Sequence, residues 1–226
     1  VFNRQQKSFL DTYHGPAEIK YFTGEGHADA YIKDGYIFFE DTKLINIDNV
    51  LLRGTHNYEN ILAAIIAVKQ FGVSDSAIVK TLKEFGGIPH RMEYLGMIDG
   101  VKYYNDSKAT NNLATSFALD SFEVPTVWIA GGLDRGQSFD ELKKHVNHVK
   151  HLIAYGETAE RLSEFAKMEN IEVSLAENPY HAVLVAKELA DDGEIVLFSP
   201  ACASWDQYKD YEARGDHYKE GFHKIY

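Results

Sequence analysis

The chain has 226 residues with 23 Lys+Arg against 34 Asp+Glu, a formal net charge of −11, 45% hydrophobic and 25% charged residues. These are ordinary values for a globular protein, so collagen-like and low-complexity readings fail, and the acidic surface repels nucleic acid. The longest apolar run, 61–68, is less than half of the roughly 18 residues a membrane span needs, and one cysteine, Cys202, excludes a disulfide framework within the chain and suits a reducing compartment.

The first region, to about residue 87, reads as a β-rich stretch followed by two helices. Runs at 30–33 and 36–39 flank Asp34-Gly35, a strong hairpin signal, and 43–47 could continue the meander. From Asn57 the period changes: Ile61, Leu62, Ile65 and Ile66 recur at helical spacing until Gly72. A second helix starts at Ser74 or Asp75 as N-cap, with Ile78, Leu82 and Phe85 on one face. Gly86-Gly87-Ile88-Pro89 breaks it and marks the expected boundary between domains 1–88 and 89–226.

The second region alternates strand and helix. Strands at 94–98 and 101–104 flank a second turn, Asp99-Gly100. Then follow a helix at 112–121, strand 126–130, helix 139–149, strand 152–155, helix 158–167 and strand 172–175. Asn178-Pro179 opens another helix as N-cap and first helical residue. Strand 195–198 leads to a last helix near 205–214. This alternation predicts a mostly parallel sheet covered on both faces, a Rossmann-like α/β domain.

In open α/β sheets ligands bind beyond the carboxyl ends of the strands, and three polar segments follow strands. Asn105-Asp106-Ser107-Lys108-Ala109-Thr110-Asn111 carries a carboxylate, a cation and two hydroxyls; a helix cap needs one or two such residues, not this many. Gly131-Gly132-Leu133-Asp134-Arg135-Gly136 pairs glycines, which allow close backbone approach, with a guanidinium fork suited to carboxylate or phosphate. Ser199-Pro200-Ala201-Cys202-Ala203-Ser204-Trp205-Asp206 sets small residues at a strand end, with Ser204 and the following helix start as donors. Cys202 reads as packing, since no cysteine-hydrolase context surrounds it. Asn57 and Asn60 fall at i, i+3 beside His56, where a plain N-cap is an equal reading. His90-Arg91-Met92-Glu93 sets a cation at the domain junction, against the alternative of a surface Arg–Glu pair. The ten histidines show no H-x-x-x-H spacing and no zinc pattern with cysteine, so no metal site is expected in this chain.

Taken together, these words, with Gly54–Asn60 and Tyr211-Glu212-Ala213-Arg214-Gly215, resemble the Mur ligase family, and within it the members that add D-glutamate. The GGLDRG form resembles Gram-positive versions. The resemblance implies a cytoplasmic ATP-dependent, ADP-forming ligase of peptidoglycan synthesis. In it the carboxylate of UDP-N-acetylmuramoyl-L-alanine is activated as an acyl phosphate and attacked by the amine of D-glutamate. It implies Mg²⁺, with ligands upstream of this chain. It also implies that the chain, which begins Val1-Phe2 without Met and carries no GK[ST] loop, is the end of an α/β P-loop-type central domain plus a C-terminal domain, inactive alone. By position, Asn57 and Asn60 would meet adenine, and Arg91 and Asp106 the ribose. Lys108 would be the catalytic cation near the phosphates. Thr110, Arg135 and Ser204 would position D-glutamate, with Tyr211 beside it. Arg135 stands where many members carry Lys. The full-length protein is expected to be a monomer without nucleic-acid or membrane partners. Two other readings stay open: a Rossmann-like module that binds a small anion without chemistry, and a related ligase of the folylpolyglutamate synthetase type.

Overall fold

Two Asp-Gly turns organise the antiparallel parts of the chain. At Asp34-Gly35 φ is +50° and +74°, and at Asp99-Gly100 it is +50° and +79°, the left-handed pair that a two-residue hairpin turn needs. The structure, a computed structural model, describes residues 1–5, 15–52 and 55–226, and at 55 and 56 the backbone only. It falls into two units, Val1–Gly86 and Gly87–Tyr226.

In the N-terminal unit β1 (Phe2–Asn3), β2 (Tyr21–Thr23), β3 (Ala30–Lys33), β4 (Tyr36–Phe39) and β5 (Thr42–Asn46) form one sheet in that order. β1 to β3 run parallel, and β3 to β5 are the expected antiparallel meander. The helices α1 (Thr55–Lys69) and α2 (Asp75–Glu84) follow. The side chain of Ser74 caps α2 by accepting from Ala77 N. Ile61, Leu62, Ile65 and Ile66 of α1 pack with Ile78 of α2 onto Ala30, Ile37, Phe39 and Ile45 of the sheet.

The C-terminal unit is a six-stranded sheet of β6 (Glu93–Ile98), β7 (Val101–Asn105), β8 (Thr126–Gly131), β9 (Val149–Tyr155), β10 (Glu172–Leu175) and β11 (Ile195–Phe198). Its order is β10-β9-β8-β11-β7-β6, and every pair is parallel except β6–β7. The helices are α3 (Asn112–Leu119), α4 (Ala159–Met168), α5 (Pro179–Leu189) and α6 (Tyr211–Ile225). β8 and β11 are buried along their whole length, as a near-continuous apolar run requires when both faces are covered. Successive side chains point to opposite faces. Trp128, Ala130, Leu152 and Leu197 therefore pack under α3 and α4, while Val127, Ile129, Val196 and Phe198 pack under α5 and α6. Truncating one such residue, as in Leu197→Ala, costs about 2–5 kcal/mol.

Two sequence expectations need correction. The helix expected at 139–149 is a short 3₁₀ segment, Asp140–His145, without a side-chain cap at Phe139, and β9 begins at Val149 rather than at 152. The last helix begins at Tyr211, not near 205, because Asp210 supplies the N-cap by accepting from Ala213 N. Residues 204–208 form turns instead, with Tyr208 N donating to Ser204 O.

Candidate functional site

β11 lies between β7 and β8, so three strand ends sit side by side, with Phe198 level with Asn105 on one flank and Ile129 on the other. The chains leaving β8 and β11 run to elements on opposite faces of the sheet, the kind of strand end at which open α/β sheets bind ligands. The backbone stays zipped past the strands: Asp106 N donates to Phe198 O at 2.7 Å, Ser199 N to Ile129 O at 3.2 Å, and Gly131 N to Pro200 O at 3.0 Å.

Asp106 is held deep in this edge, 5% exposed. Its Oδ1 accepts from Met92 N at 3.1 Å and its Oδ2 from Ser199 Oγ at 3.0 Å. Ser199 Oγ also lies 3.1 Å from Thr115 Oγ1. Burial raises the Asp106 carboxyl from an ordinary 3.8 to about 6, against the opposing pull of those two donors and of the Arg91 and Arg214 charges. Each carboxylate oxygen keeps a second lone pair for a further donor. His90 and Met92 hold φ of +64° and +44°, uncommon for residues with a Cβ, and this bend aims Met92 N–H at the carboxylate.

A second network ties the 105–108 loop to α6. Asn105 Nδ2 lies 3.0 Å from His90 Nδ1 and donates to Gly215 O at 3.2 Å. Glu93 Oε2 accepts from His90 N at 2.9 Å. A Cβ on residue 215 would stand 2.2 Å from His90 Nδ1, so only glycine lets the imidazole seat there. Ser107 Oγ donates to Tyr211 O at 2.8 Å. Arg214 is 0% exposed. Its Nε donates to Ser107 Oγ at 3.0 Å, Nη2 to Ser107 O at 2.7 Å and Nη1 to Cys202 O at 2.9 Å. One buried guanidinium thus clamps the loop after β7 to the loop after β11, and among the described residues no carboxylate forms an ion pair with it.

Of the residues singled out in the sequence, Lys108 is exposed, and its Nζ stands 3.9 Å above the Tyr211 ring. Thr110 is half-buried two residues on, and Arg91 is exposed at the near edge of β6. The loop carrying Asp106 and Lys108 thus meets Tyr211 at the strand-end edge. Asn57 and Asn60 lie in the first turns of α1 in the other unit, Asn57 half-buried and Asn60 exposed. Gly54 lies outside the described residues, as does the side chain of His56.

The paired glycines serve the protein's own backbone. Gly132 has φ +142°, and a Cβ there would meet Ala203 O at 2.2 Å. Leu133 N donates to that same Ala203 O at 2.9 Å. The close approach expected for a ligand is made by the 199–206 loop instead. Arg135, further along, is exposed, with its Cζ 4.8 Å from the Trp205 ring. Ser204 is buried. The following helix starts only seven residues later and is already capped by Asp210, so the expectation of its N-terminal donors at Ser204 fails; the helix start that meets this loop is that of α4, where Glu157 N donates to Asp206 Oδ2 at 3.4 Å. Cys202 is fully buried, accepts from Gln137 Nε2 at 3.3 Å, and burial pushes its thiol up. Ala201 beside it has φ +60°, a conformation that costs about 1–3 kcal/mol at a residue with a Cβ.

Arg214, Ser199 and Thr115 drew no role from the sequence. Arg214 left a signal: it falls with Tyr218, Phe222 and Ile225 on one α6 stripe, a cation at an otherwise apolar position.

The family model described as "Mur ligase, glutamate ligase domain" matches residues 90–202. A UDP-N-acetylmuramoylalanine–D-glutamate ligase of Macrococcus caseolyticus is 49% identical over 219 residues, covering 96% of this chain and 49% of that protein. The chain spans about half the length of the curated relatives it matches. Among solved structures, a UDP-N-acetylmuramate–alanine ligase of Thermotoga maritima superposes with a TM-score of 0.62 at 14% identity, covering 92% of this chain and 48% of that one. A bifunctional folylpolyglutamate synthase/dihydrofolate synthase of Yersinia pestis gives 0.60 at 14%, covering 90% and 52%. These two likenesses speak for the fold alone. Sequence words, strand-end loops and family model converge on the same segment: the chain belongs to the Mur ligase family.

Proposed function

We propose that these residues form the C-terminal half of a ligase that joins D-glutamate to UDP-N-acetylmuramoyl-L-alanine at the expense of ATP, in cytoplasmic peptidoglycan synthesis. The observation that carries this reading is the 49% identity over 96% of the chain with a relative named for that reaction. On this reading the P-loop and the magnesium ligands belong to the other half. Among the described residues no three His, Cys, Asp or Glu side chains gather as a metal group. Likewise no helix among them is long and apolar enough to cross a membrane. Residues 1–88 would be the end of the central ATPase domain and 89–226 the C-terminal domain, in a monomeric enzyme.

The residues divide the work by chemistry. Asn57 and Asn60 recognise the adenine edge. Asp106, ionised above pH about 6, accepts from a ribose hydroxyl, with Arg91 alongside. ATP, when bound with Mg²⁺, supplies the phosphoryl group that activates the carboxylate. Lys108 balances the negative charge that grows as the D-glutamate nitrogen adds to the acyl carbon and phosphate departs. Its ammonium touches a ring rather than a carboxylate, so its charge remains available, and pre-aimed charge of this kind is commonly the largest catalytic term. Thr110, Ser204 and the Arg135 fork hold the D-glutamate carboxylates, with Tyr211 beside them. The folylpolyglutamate synthetase alternative has fold likeness only, at 14% identity; the anion-binding module leaves the D-glutamate relatives unexplained.

The test is phosphate release by the full-length ligase. It should require ATP, UDP-N-acetylmuramoyl-L-alanine and D-glutamate together, and fall at least about a hundredfold in Lys108→Ala. Release that needs no D-glutamate, or that survives the substitution, would contradict the reading.

A further inference from the structure

Trp205 is 64% exposed, so one face of its ring is open to a surface partner. The chain's other tryptophan, Trp128, is fully buried, its Nε1 donating to Ser199 O at 2.8 Å. Trp205 does have one partner: the Arg135 guanidinium lies over its ring, Cζ 4.8 Å from the centroid. This is within the range of a cation–π contact, for which tryptophan is the best ring.

The surrounding loop fixes the backbone of Arg135 and leaves its side chain to that ring. Gln137 Oε1 accepts from Arg135 N at 3.2 Å, and Gly136 N donates to Asp134 Oδ1 at 2.8 Å. Asp134, the adjacent carboxylate, is already bound by Arg161. Among the described residues no carboxylate forms an ion pair with Arg135. The ring that meets it is anchored from the other loop, since Leu133 and Ala203 pair as an isolated bridge two residues before each partner.

We propose that Trp205 is a positioning residue for Arg135: the indole supports the guanidinium so that its N–H edges stay directed at a substrate carboxylate. This rests on the reading that Arg135 holds a carboxylate of D-glutamate. A ring under the fork restricts the rotamers of a long side chain before the ligand arrives, and preorganisation of this kind appears as affinity. It also favours arginine over lysine at 135, because the planar guanidinium stacks while still presenting two parallel donors.

The experiment is a double-mutant cycle in the full-length ligase, with Michaelis constants measured for each substrate. Trp205→Ala should raise the D-glutamate KM about three- to tenfold, leave kcat within about twofold, and leave the ATP KM unchanged. Trp205→Phe should recover most of the loss. In an Arg135→Ala background Trp205→Ala should add almost nothing. A second readout follows tryptophan emission: the D-glutamate-dependent change that Trp205→Phe abolishes reports Trp205, and its midpoint should move upward in Arg135→Ala. If Arg135→Ala raises the D-glutamate KM but Trp205→Ala does not, or if the two effects multiply independently, the positioning role is overturned while the D-glutamate reading stands. If Arg135→Ala itself leaves the D-glutamate KM unchanged, both are overturned.

Discussion

Replacing Asp106 by Asn keeps the side chain's shape and removes its charge. Met92 N can still donate to the remaining carbonyl, and the new amide can donate to Ser199 Oγ, so the fold should survive. The folded carboxyl sits at about 6 against an ordinary 3.8, so its protonated form is the one that the fold favours. Its stabilising contribution is fully present below the ordinary value and is lost as pH rises through about 6. A shift of this size corresponds to about 3 kcal/mol. In the wild type, stability relative to Asp106→Asn should therefore fall by about 2–2.5 kcal/mol between pH 4 and 7.5, the rest of the shift lying below pH 4. Urea unfolding of the full-length protein across that range, followed by far-UV circular dichroism, measures it, and groups other than Asp106 titrate in both proteins and cancel. Nucleotide binding should move the other way. The ionised carboxylate is the better acceptor for a ribose hydroxyl, and a charged hydrogen bond is worth about 1.5–3 kcal/mol. The ATP KM of Asp106→Asn at pH 7.5 should rise about ten- to a hundredfold, with D-glutamate unaffected. A difference in stability that is flat with pH would refute the burial argument; an unchanged ATP KM would refute the ribose assignment.

Further outcomes follow from the same geometry. Arg214→Met leaves Ser107 O, Ser107 Oγ and Cys202 O without their donor and should cost about 3–5 kcal/mol by urea titration; a loss under about 1 kcal/mol would sink the clamp. Gly132→Ala drives a Cβ to 2.2 Å from Ala203 O and should destabilise by more than about 3 kcal/mol, so a wild-type melting temperature would contradict it. Lys108→Ala should keep stability within about 0.5 kcal/mol, since the side chain is exposed, while turnover collapses; parallel loss of both would make Lys108 structural.

Much of the fold was legible because local and global signals agreed. The Asp-Gly turns, the capping serine and asparagine at Ser74 and Asn178, and the buried run at β11 each fix an element with one or two residues. The failures have a common cause in tertiary competition. Residues 139–149 carry a helical pattern, but the stretch lies directly between β8 and β9, and Val149 joins the sheet to pair with Thr126. The 204–210 segment carries no proline to stop a helix, yet the turn at Ser204 and the cap at Asp210 delay α6. In the candidate site the polar loops were visible as an excess of side chains over what capping needs. What composition could not tell was the division of labour within them. Ser107, Ser199, Thr115 and Arg214 spend their polar groups on one another and on the backbone, while Lys108 and Arg135 face outward against aromatic rings. That division depends on contacts about a hundred residues apart in sequence, which no local pattern encodes.

The most direct test is the mass of the product formed by the full-length ligase from UDP-N-acetylmuramoyl-L-alanine and ATP with equimolar D- and L-glutamate, each isotopically distinguished. The account predicts that one glutamyl residue is added, drawn from the D isomer. A product carrying the L isomer, or none with this acceptor while a folate accepts L-glutamate, would contradict it.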